Sequence, residues 1–182
     1  QMCGIVGIVD AGGVSLPLYY ALYALQHRGQ ESAGISVFDG DRLRKHKGPG
    51  LVAEVFDTQI LRSLHGTVGV GHVRYPTTEA NLPENIQPFN FEFMGRSFAL
   101  AHNGNLVNTR ELRAAYEQAG QIFCTTTDTE VIANLIADEL RHFGRKVDPR
   151  TGHDRYEARK GHDDLVVAAS LAALPIPRHR AD

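Results

Sequence analysis

Short β-branched runs and longer apolar stretches follow one another along the first hundred residues. Three runs, at residues 5–9, 34–38 and 68–73, predict buried strands. A fourth predicted strand, residues 97–102, leads directly into an Asn-Gly pair, which is typical of a tight turn because both residues tolerate positive φ. Between the first two strands, the Leu- and Ala-rich residues 16–26 predict a mostly buried helix.

Two further helices are predicted from their first turns. Asn108 precedes Glu111 by three residues, and Thr127 precedes Glu130 by three, which is the spacing of a capping box. Apolar residues then recur at helical spacing over residues 131–140. Because strands come in runs, with helices inserted between the groups, the order favours an α+β fold over a doubly wound parallel sheet.

The composition changes after about residue 143. The chain has 182 residues, of which 42% are hydrophobic and 22% charged, so one domain with a real core is expected. Residues 144–162 are polar and highly charged and predict a linker, and residues 163–174 predict one short helix. We therefore expect a domain over 3–143, and over 144–182 a polar linker and a short C-terminal helix with no assigned role.

Charge and hydropathy exclude several classes of protein. A net charge of -2 argues against wholesale binding of nucleic acid or of anionic membranes. No stretch approaches the roughly 20 apolar residues of a membrane span, and the amino terminus lacks the features of a signal peptide, so a cytoplasmic location is expected. Two cysteines are too few for a disulfide framework, so a chemical role for one of them is open.

Cys3 is the first candidate for such a role. It precedes the first predicted strand by one residue, and removal of Gln1 and Met2 would give one residue both a thiol and a free α-amino group. The amine could then accept the thiol proton and serve as a built-in base. A half-buried cysteine at the start of a strand is the alternative that the sequence leaves open.

Other polar residues have two readings each. The Asn103 amide and the Gly104 N–H could stabilise one developing negative oxygen, or could form an ordinary turn. Arg74, at a strand end, offers a planar fork to a carboxylate or lies on the surface. Asp128, in the first turn of a helix, is either a cap-region acid or the partner of a substrate ammonium group.

Six short sequence motifs, called words below, occur in order over about 130 residues, although none of them is specific by itself. They are CGIVGI at 3–8, LQHRGQESAGI at 25–35, GHVRYPT at 71–77, ENIQPF at 84–89, ALAHNGNLVN at 99–108 and TTDTE at 126–130. Together they resemble the glutaminase domain of the class II, N-terminal-nucleophile glutamine amidotransferases. Within that family, the resemblance is greatest to the phosphoribosylpyrophosphate amidotransferase branch, which serves purine synthesis.

This resemblance implies a four-layer α/β/β/α sandwich that binds glutamine between loops at the strand ends. It implies that Cys3 attacks the side-chain amide of glutamine to give a thioester and ammonia. Asn103 and Gly104 match the oxyanion hole of the family, Arg74 its clamp on the substrate α-carboxylate, and Asp128 its partner for the α-ammonium group.

Supporting residues and partners are also implied. Arg28 matches the HRG word near the nucleophile, and Tyr75 and Thr77 match the flap that closes on glutamine. The glutaminase half needs no cofactor, whereas Mg²⁺ would belong to the phosphoribosyltransferase domain that follows in this branch. The expected partners are L-glutamine, a phosphoribosyltransferase domain or chain, and further copies of the chain in a homo-oligomer.

The sequence departs from the family pattern in three ways. Gln1 and Met2 block the α-amino group of Cys3, so the chain as written is expected to be inactive. The resemblance fades near Phe143, so the sandwich is expected to be truncated at its C-terminal side. The phosphoribosyltransferase domain is missing from these 182 residues, so the expected activity is at most the ammonia-producing half.

Two rival functions remain. The chain could be a non-catalytic fragment or fusion product that keeps part of the fold for binding or scaffolding. The HDD word of the tail faintly resembles the nuclease domain of phage terminase large subunits, but Asp163 and Asp164 lack the companion carboxylates of a two-metal site, so a helix cap is favoured. The histidines also lack close metal-ligand spacing, so no metal site is expected.

Overall fold

A computed structural model describes residues 3–75, 82–93, 96–147 and 154–158. The chain divides into two compact units, residues 1–131 and 132–182. The elements of the first unit are β1 (Gly4–Val9), α1 (Ser15–Ala24), β2 (Ser32–Phe38), β3 (Leu43–Pro49), α2 (Val52–Val55), α3 (Thr58–Ser63), β4 (Val68–Arg74), β5 (Phe89–Phe93), β6 (Arg96–Leu100) and α4 (Thr109–Gln118). Helix α5 (Asp128–His142) continues from the first unit into the second, which also contains β7 (Phe143–Val147) and β8 (Asp154–Ala158).

Strands β1 to β4 form one antiparallel sheet in the order β1-β4-β2-β3. Strand β4 lies between β1 and β2, with Val73 opposite Gly4 on one side and Ala33 on the other. Strands β5 and β6 pair as a separate antiparallel hairpin. Because β4 is central, a side chain near its end is flanked by the start of β1 and the start of β2.

One face of this sheet packs against α1. Leu18 and Leu22 of the helix are fully buried, and Gly69 and Gly71 of β4 give them room. A Cβ atom at Gly71 would lie 2.9 Å from the Leu22 side chain, so a larger residue there would push the helix away. The resulting apolar core consists of Val14, Leu18, Leu22, Ala33, Ile35, Val37, Val52, Val55, Phe56, Leu64 and Val73.

The segment that leads into β5 covers the other face. A Cβ atom at Gly34 would lie only 2.1 Å from the carbonyl oxygen of Gln87, so this approach requires glycine. Ser36 Oγ donates a hydrogen bond of 2.8 Å to Asn90 Oδ1, and Lys47 Nζ donates to the carbonyl oxygen of Ile86. Helix, sheet and hairpin are thus layered, and the predicted α+β class is confirmed.

The predicted strands all exist, but their burial differs from expectation. Strand β1 alternates, with Ile5 38% and Val9 78% exposed, so it is not buried throughout. Helix α1 exposes Leu16 and Tyr20, so it is not mostly buried as expected. The pattern missed β3, whose LRKHKGP sequence is too polar to signal a strand, although pairing with β2 satisfies its backbone.

The capping box predicted at Asn108 is wrong. Asn108 is the N-cap of α4, but among the described residues its side chain makes no capping hydrogen bond. The capping box predicted at Thr127 stays a prediction; the carboxylate of Glu130 accepts from the backbone N–H groups of Cys124 and Thr125, at 2.8 and 2.7 Å. Glu130 therefore fixes the turn that precedes α5.

The polar tail differs from the predicted linker over two segments. Strands β7 and β8 pair antiparallel, with Phe143 opposite Ala158 and Val147 opposite Asp154. The linker prediction is wrong there, because a ladder of backbone groups forms without the apolar alternation that signals a strand. The predicted helix at 163–174 lies outside the described residues. The assignment of 3–143 and 144–182 as separate domains stays a prediction.

Candidate active site

A cleft of about 1030 Å³ lies in the first unit and is lined mainly by polar residues. Distant parts of the sequence contribute to it, because β1, β4, the residues after β6 and the turn before α5 converge there. Six of the predicted site residues line the cleft, namely Cys3, Arg74, Tyr75, Asn103, Gly104 and Asp128.

Cys3 lies immediately before β1 and is half-buried. Its Sγ atom accepts a hydrogen bond from the Tyr75 backbone N–H at 3.4 Å. Its carbonyl oxygen accepts from Arg28 Nε at 3.2 Å and from Asn103 Nδ2 at 2.9 Å. The backbone of the candidate nucleophile is therefore held by two other predicted site residues, 25 and 100 positions away in sequence.

The Asn-Gly pair follows β6 and lies beside Cys3. The Asn103 amide already reaches the Cys3 residue through the hydrogen bond to its carbonyl oxygen. A Cβ atom at Gly104 would lie 2.9 Å from Nε2 of His102, so the imidazole ring packs directly against this glycine. His102 therefore contacts the predicted oxyanion segment, although no role was predicted for it.

Arg74 is buried, with 7% of its surface exposed. Its Nε atom lies 3.5 Å from Glu31 Oε2 in an ion pair whose two side chains are largely buried. The alternative of a surface arginine is therefore wrong. Burial of a guanidinium group requires a partner of opposite charge, and Glu31 at the entrance to β2 supplies it.

Asp128 is the first residue of α5, and its carboxylate faces the cleft. Oδ2 accepts a hydrogen bond of 2.8 Å from the Leu106 backbone N–H, and Oδ1 lies 3.4 Å from Nδ1 of His102. Only 14% of the side chain is exposed. Asp128 thus ties the first turn of α5 to the loop after β6, which carries Asn103 and Gly104.

His72 lies on β4 two residues before Arg74 and is 1% exposed. Within the described part of the chain, neither of its ring nitrogens has a hydrogen-bond partner. Burial, reinforced by the positive charge of Arg74 and by His102, lowers the pKa of His72 from 6.5 to about 4. The imidazole is therefore neutral at physiological pH and adds no second positive charge beside Arg74.

Residues that the sequence reasoning missed lie within the same ordered words. Glu31 belongs to LQHRGQESAGI, Gln87 to ENIQPF and His102 to ALAHNGNLVN. Each contacts a predicted site residue or its neighbour. The signal in the sequence that could have identified them is that each belongs to one of the six words. Thr77, the last predicted residue of the flap, lies outside the described residues.

The described residues form neither a metal-binding cluster nor a membrane-spanning helix. Over the described ranges, no group of three or more His, Cys, Asp or Glu side chains is arranged to hold a metal ion. Asp163 and Asp164, which the nuclease alternative requires, lie outside those ranges. None of the helices in the described part of the chain has the length and apolar character needed to cross a membrane.

Comparison with known proteins identifies the domain. Residues 72–150 match the glutamine amidotransferase domain family. The chain is 54% identical over 175 residues to an amidophosphoribosyltransferase of Methanothermobacter thermautotrophicus, covering 94% of this chain and 35% of that protein. It is 47% identical to the amidophosphoribosyltransferase of Methanocaldococcus jannaschii, covering 81% of this chain and 32% of that protein. The chain thus spans about a third of the length of these relatives.

Solved structures agree with the sequence matches. The fold is similar to the allosteric regulatory enzyme of purine biosynthesis, with a TM-score of 0.65 and 48% identity over 74% of this chain and 29% of that one. It is also similar to the glutamine phosphoribosylpyrophosphate amidotransferase of Bacillus subtilis, with a TM-score of 0.63 and 48% identity over 74% of this chain and 28% of that one.

The matches differ in how far they extend into the tail. The alignment with the Methanothermobacter thermautotrophicus protein covers 94% of the chain and so extends past Phe143, whereas the two structural matches cover 74%. The same alignment gives no support to a separate origin of the tail in a nuclease. The predicted resemblance to the class II amidotransferases is confirmed, and the chain carries a glutamine amidotransferase domain.

Proposed function

We propose that this chain hydrolyses the side-chain amide of L-glutamine through a thioester on Cys3 and so releases ammonia. One observation carries the proposal. A single cleft gathers a thiol, an amide donor beside it, a buried cation and a carboxylate, in Cys3, Asn103, Arg74 and Asp128. These are the groups needed to attack an amide and to recognise a zwitterionic amino acid.

The chemical steps follow from these groups. Cys3 Sγ attacks the side-chain carbonyl carbon of glutamine, and the oxygen of the tetrahedral intermediate accepts from the Asn103 amide and the Gly104 N–H. Because an amide nitrogen has two N–H donors, Asn103 can keep its bond to the Cys3 carbonyl while donating to the oxyanion. The leaving nitrogen takes up a proton as the C–N bond breaks, and ammonia departs. Water then hydrolyses the thioester to glutamate and free thiol.

Recognition of the substrate relies on one charge of each sign. Arg74, oriented by its ion pair with Glu31, binds the α-carboxylate of glutamine. Asp128 binds the α-ammonium group, since a carboxylate that already accepts from Leu106 keeps further lone pairs for another donor. A ligand that lacks either charged end loses its contact with Arg74 or Asp128 and should bind more weakly.

The base in this mechanism is the α-amino group of Cys3. A peptide bond to Met2 turns that amine into an amide with no useful proton affinity, so we propose that activity requires a chain that begins at Cys3. The hydrogen bonds from Arg28 and Asn103 to the Cys3 carbonyl support this role, because they orient the residue that would hold both base and nucleophile. Tyr75 and Thr77 belong to the flap over the bound glutamine.

The wider assignments rest on the resemblance and on the matched relatives. We propose that the described layers belong to a four-layer α/β/β/α sandwich and that the ammonia serves phosphoribosylamine formation in purine synthesis. The acceptor site would lie on a phosphoribosyltransferase domain or chain, which would also hold any Mg²⁺. A homo-oligomeric state and a cytoplasmic location stay predictions from the sequence. The alternative of a non-catalytic fragment is not favoured by 54% identity over nearly the whole chain.

The proposal is tested by ammonia and glutamate release from glutamine. The chain with Cys3 as its first residue should be active, and the chain that retains Gln1 and Met2 should be slower by about 10² to 10⁴-fold, the scale of general-base help. In the Cys3-first chain, Cys3→Ala should abolish release, because thioester formation needs the sulfur.

Cys124 provides the matched control. It is the second cysteine and is exposed, and its described hydrogen bond uses the backbone N–H, which Cys124→Ala leaves intact. Cys124→Ala should retain full activity. Ammonia release that survives in Cys3→Ala would refute the thioester mechanism, and equal rates with and without Gln1 and Met2 would remove the α-amino group as the base.

A further inference from the structure

The ENIQPF word contains two amide side chains, one buried and one half-buried, to which neither the sequence nor the proposed reaction assigns a role. Asn85 is 1% exposed and Gln87 is half-buried, and both line the cleft. Buried amide groups need partners for their donors and acceptors. The partners of these two residues lie in the two segments that carry the proposed glutamine-recognition groups.

Gln87 connects the two segments directly. Its Oε1 atom accepts a hydrogen bond of 2.6 Å from the backbone N–H of His102, the residue before Asn103. Its Nε2 atom donates to Oγ1 of Thr129 at 3.3 Å, and Thr129 follows Asp128 and is fully buried. One side chain therefore links the segment of the oxyanion donors to the turn that holds the ammonium acceptor.

Asn85 holds the same turn at a second point. Its Nδ2 atom donates to Thr126 Oγ1 at 2.9 Å, and its Oδ1 atom accepts from the Thr126 backbone N–H at 3.3 Å. This reciprocal pair fixes Thr126 two residues before Asp128. The segment that covers the sheet thus contacts the turn on both sides of Asp128.

We propose that Asn85 and Gln87 are positioning residues that hold the oxyanion segment, residues 102–104, at a set distance from Asp128. This proposal rests on the proposed glutaminase function. Asn103 must meet the side-chain amide of glutamine while Asp128 meets its α-ammonium group. The spacing between the two segments therefore selects a substrate of the length of glutamine.

The expected effect follows from geometry. Loss of the Gln87 link leaves the two segments joined, among the described contacts, only by those of Asp128 with Leu106 and His102, so their spacing is less firmly held. A misplacement of about 1 Å at a reacting group costs up to about 10²-fold in rate. We expect kcat/KM for glutamine to fall by about 10- to 100-fold in Gln87→Met, which keeps length but loses both hydrogen bonds. Both kcat and KM should change, since the link serves the oxyanion donors and the ammonium acceptor together.

The experiment uses the full chain with Cys3 first and compares Gln87→Met, Thr129→Val and the double variant. Because both single changes break the Gln87–Thr129 bond, their effects on kcat/KM should not add. Thr129→Ser keeps a hydroxyl group and should restore most of the activity. Ser36→Ala is the control. It removes the hydrogen bond from Ser36 to Asn90, which also anchors the covering segment to the sheet, but neither of these two residues lines the cleft.

Amide hydrogen exchange provides a readout that does not need activity. Exchange at residues 102–106 and 126–129 should accelerate in Gln87→Met and Thr129→Val and stay unchanged in Ser36→Ala. The same exchange in Gln87→Met as in the unchanged chain, or kcat/KM within twofold of Ser36→Ala, would overturn the proposal. If amide exchange accelerates in the two variants as expected, but the unchanged chain releases no ammonia, the proposed function fails while the link between the segments stands.

Discussion

The two faces of the β1-β4-β2-β3 sheet are built from the same strands, and both contain fully buried residues of β2 and β4, yet they differ in chemistry. On the face toward α1, β2 contributes Ala33, Ile35 and Val37, each with no exposed surface. On the opposite face, Ser36 is also fully buried, and His72 of β4 is 1% exposed. Burial alone therefore does not separate core from site.

The difference lies in what each face requires of its neighbours. The apolar face is stabilised by close packing, which is insensitive to direction. The polar face needs specific partners, such as Asn90 for Ser36 and Glu31 for Arg74, because an unpaired buried polar group is costly. The polar face carries the cost of buried polar groups and opens into the cleft. Its side chains are therefore explained by selection for function rather than for stability.

Among the substitutions that distinguish the two faces, the one at Leu22 is expected to have the largest effect on stability. Leu22→Ala removes a fully buried side chain between α1 and β4 and should lower the free energy of unfolding by about 2–5 kcal/mol. Denaturant unfolding measures the loss, and KM for glutamine should not change at temperatures where the variant is folded. Leu16→Ala, the same change at a position 52% exposed on the same helix, should cost less than about 0.5 kcal/mol.

A smaller effect is expected on the polar face from the titration of His72. Because the pKa of His72 falls from 6.5 to about 4 on folding, the unfolded chain binds a proton between these pH values that the folded chain does not. Stability should therefore be lost as pH falls from 6.5 to 4, by about 3 kcal/mol in total from this group.

Thermal unfolding as a function of pH measures this contribution. His72→Leu should flatten the profile between pH 4 and 6.5, and it should cost little at pH 7 because the imidazole it replaces has no described hydrogen bond to lose. An identical pH profile in His72→Leu and the unchanged chain would show that His72 does not couple folding to protonation.

The smallest of the expected effects concerns Arg74. Arg74→Lys keeps the charge but loses the planar fork, so KM for glutamine should rise about tenfold, equivalent to about 1.4 kcal/mol of binding free energy. Steady-state kinetics measure it. Arg44→Lys is the matched control, because Arg44 pairs with Asp39 at 2.8 Å outside the cleft. An unchanged KM in Arg74→Lys would argue against a carboxylate clamp.

Local patterns predicted much of the fold. The β-branched runs located β1, β2 and β4. The chain bends at Gly104 after β6, but Gly104 does not have the positive φ of the tight turn that the Asn-Gly pair predicted. The local patterns failed for β3, because a polar strand is defined by its pairing partner rather than by its own sequence. Strand β5 was missed although its sequence, FNFEF, alternates apolar and polar residues as a strand does. The ordered words named Cys3, Asn103, Arg74 and Asp128, and these residues do share a cleft.

The sequence by itself determined which residues lie on the same face of a strand and which words occur in family order. Only the tertiary structure decided what covers each face, and hence that Glu31 pairs with Arg74 and that Gln87 links His102 to Thr129. The physical reason is the separation in sequence between the residues that interact. Periodicity arises from neighbours within a turn or a strand, whereas these contacts join residues 15 to 43 positions apart, and no local pattern records them.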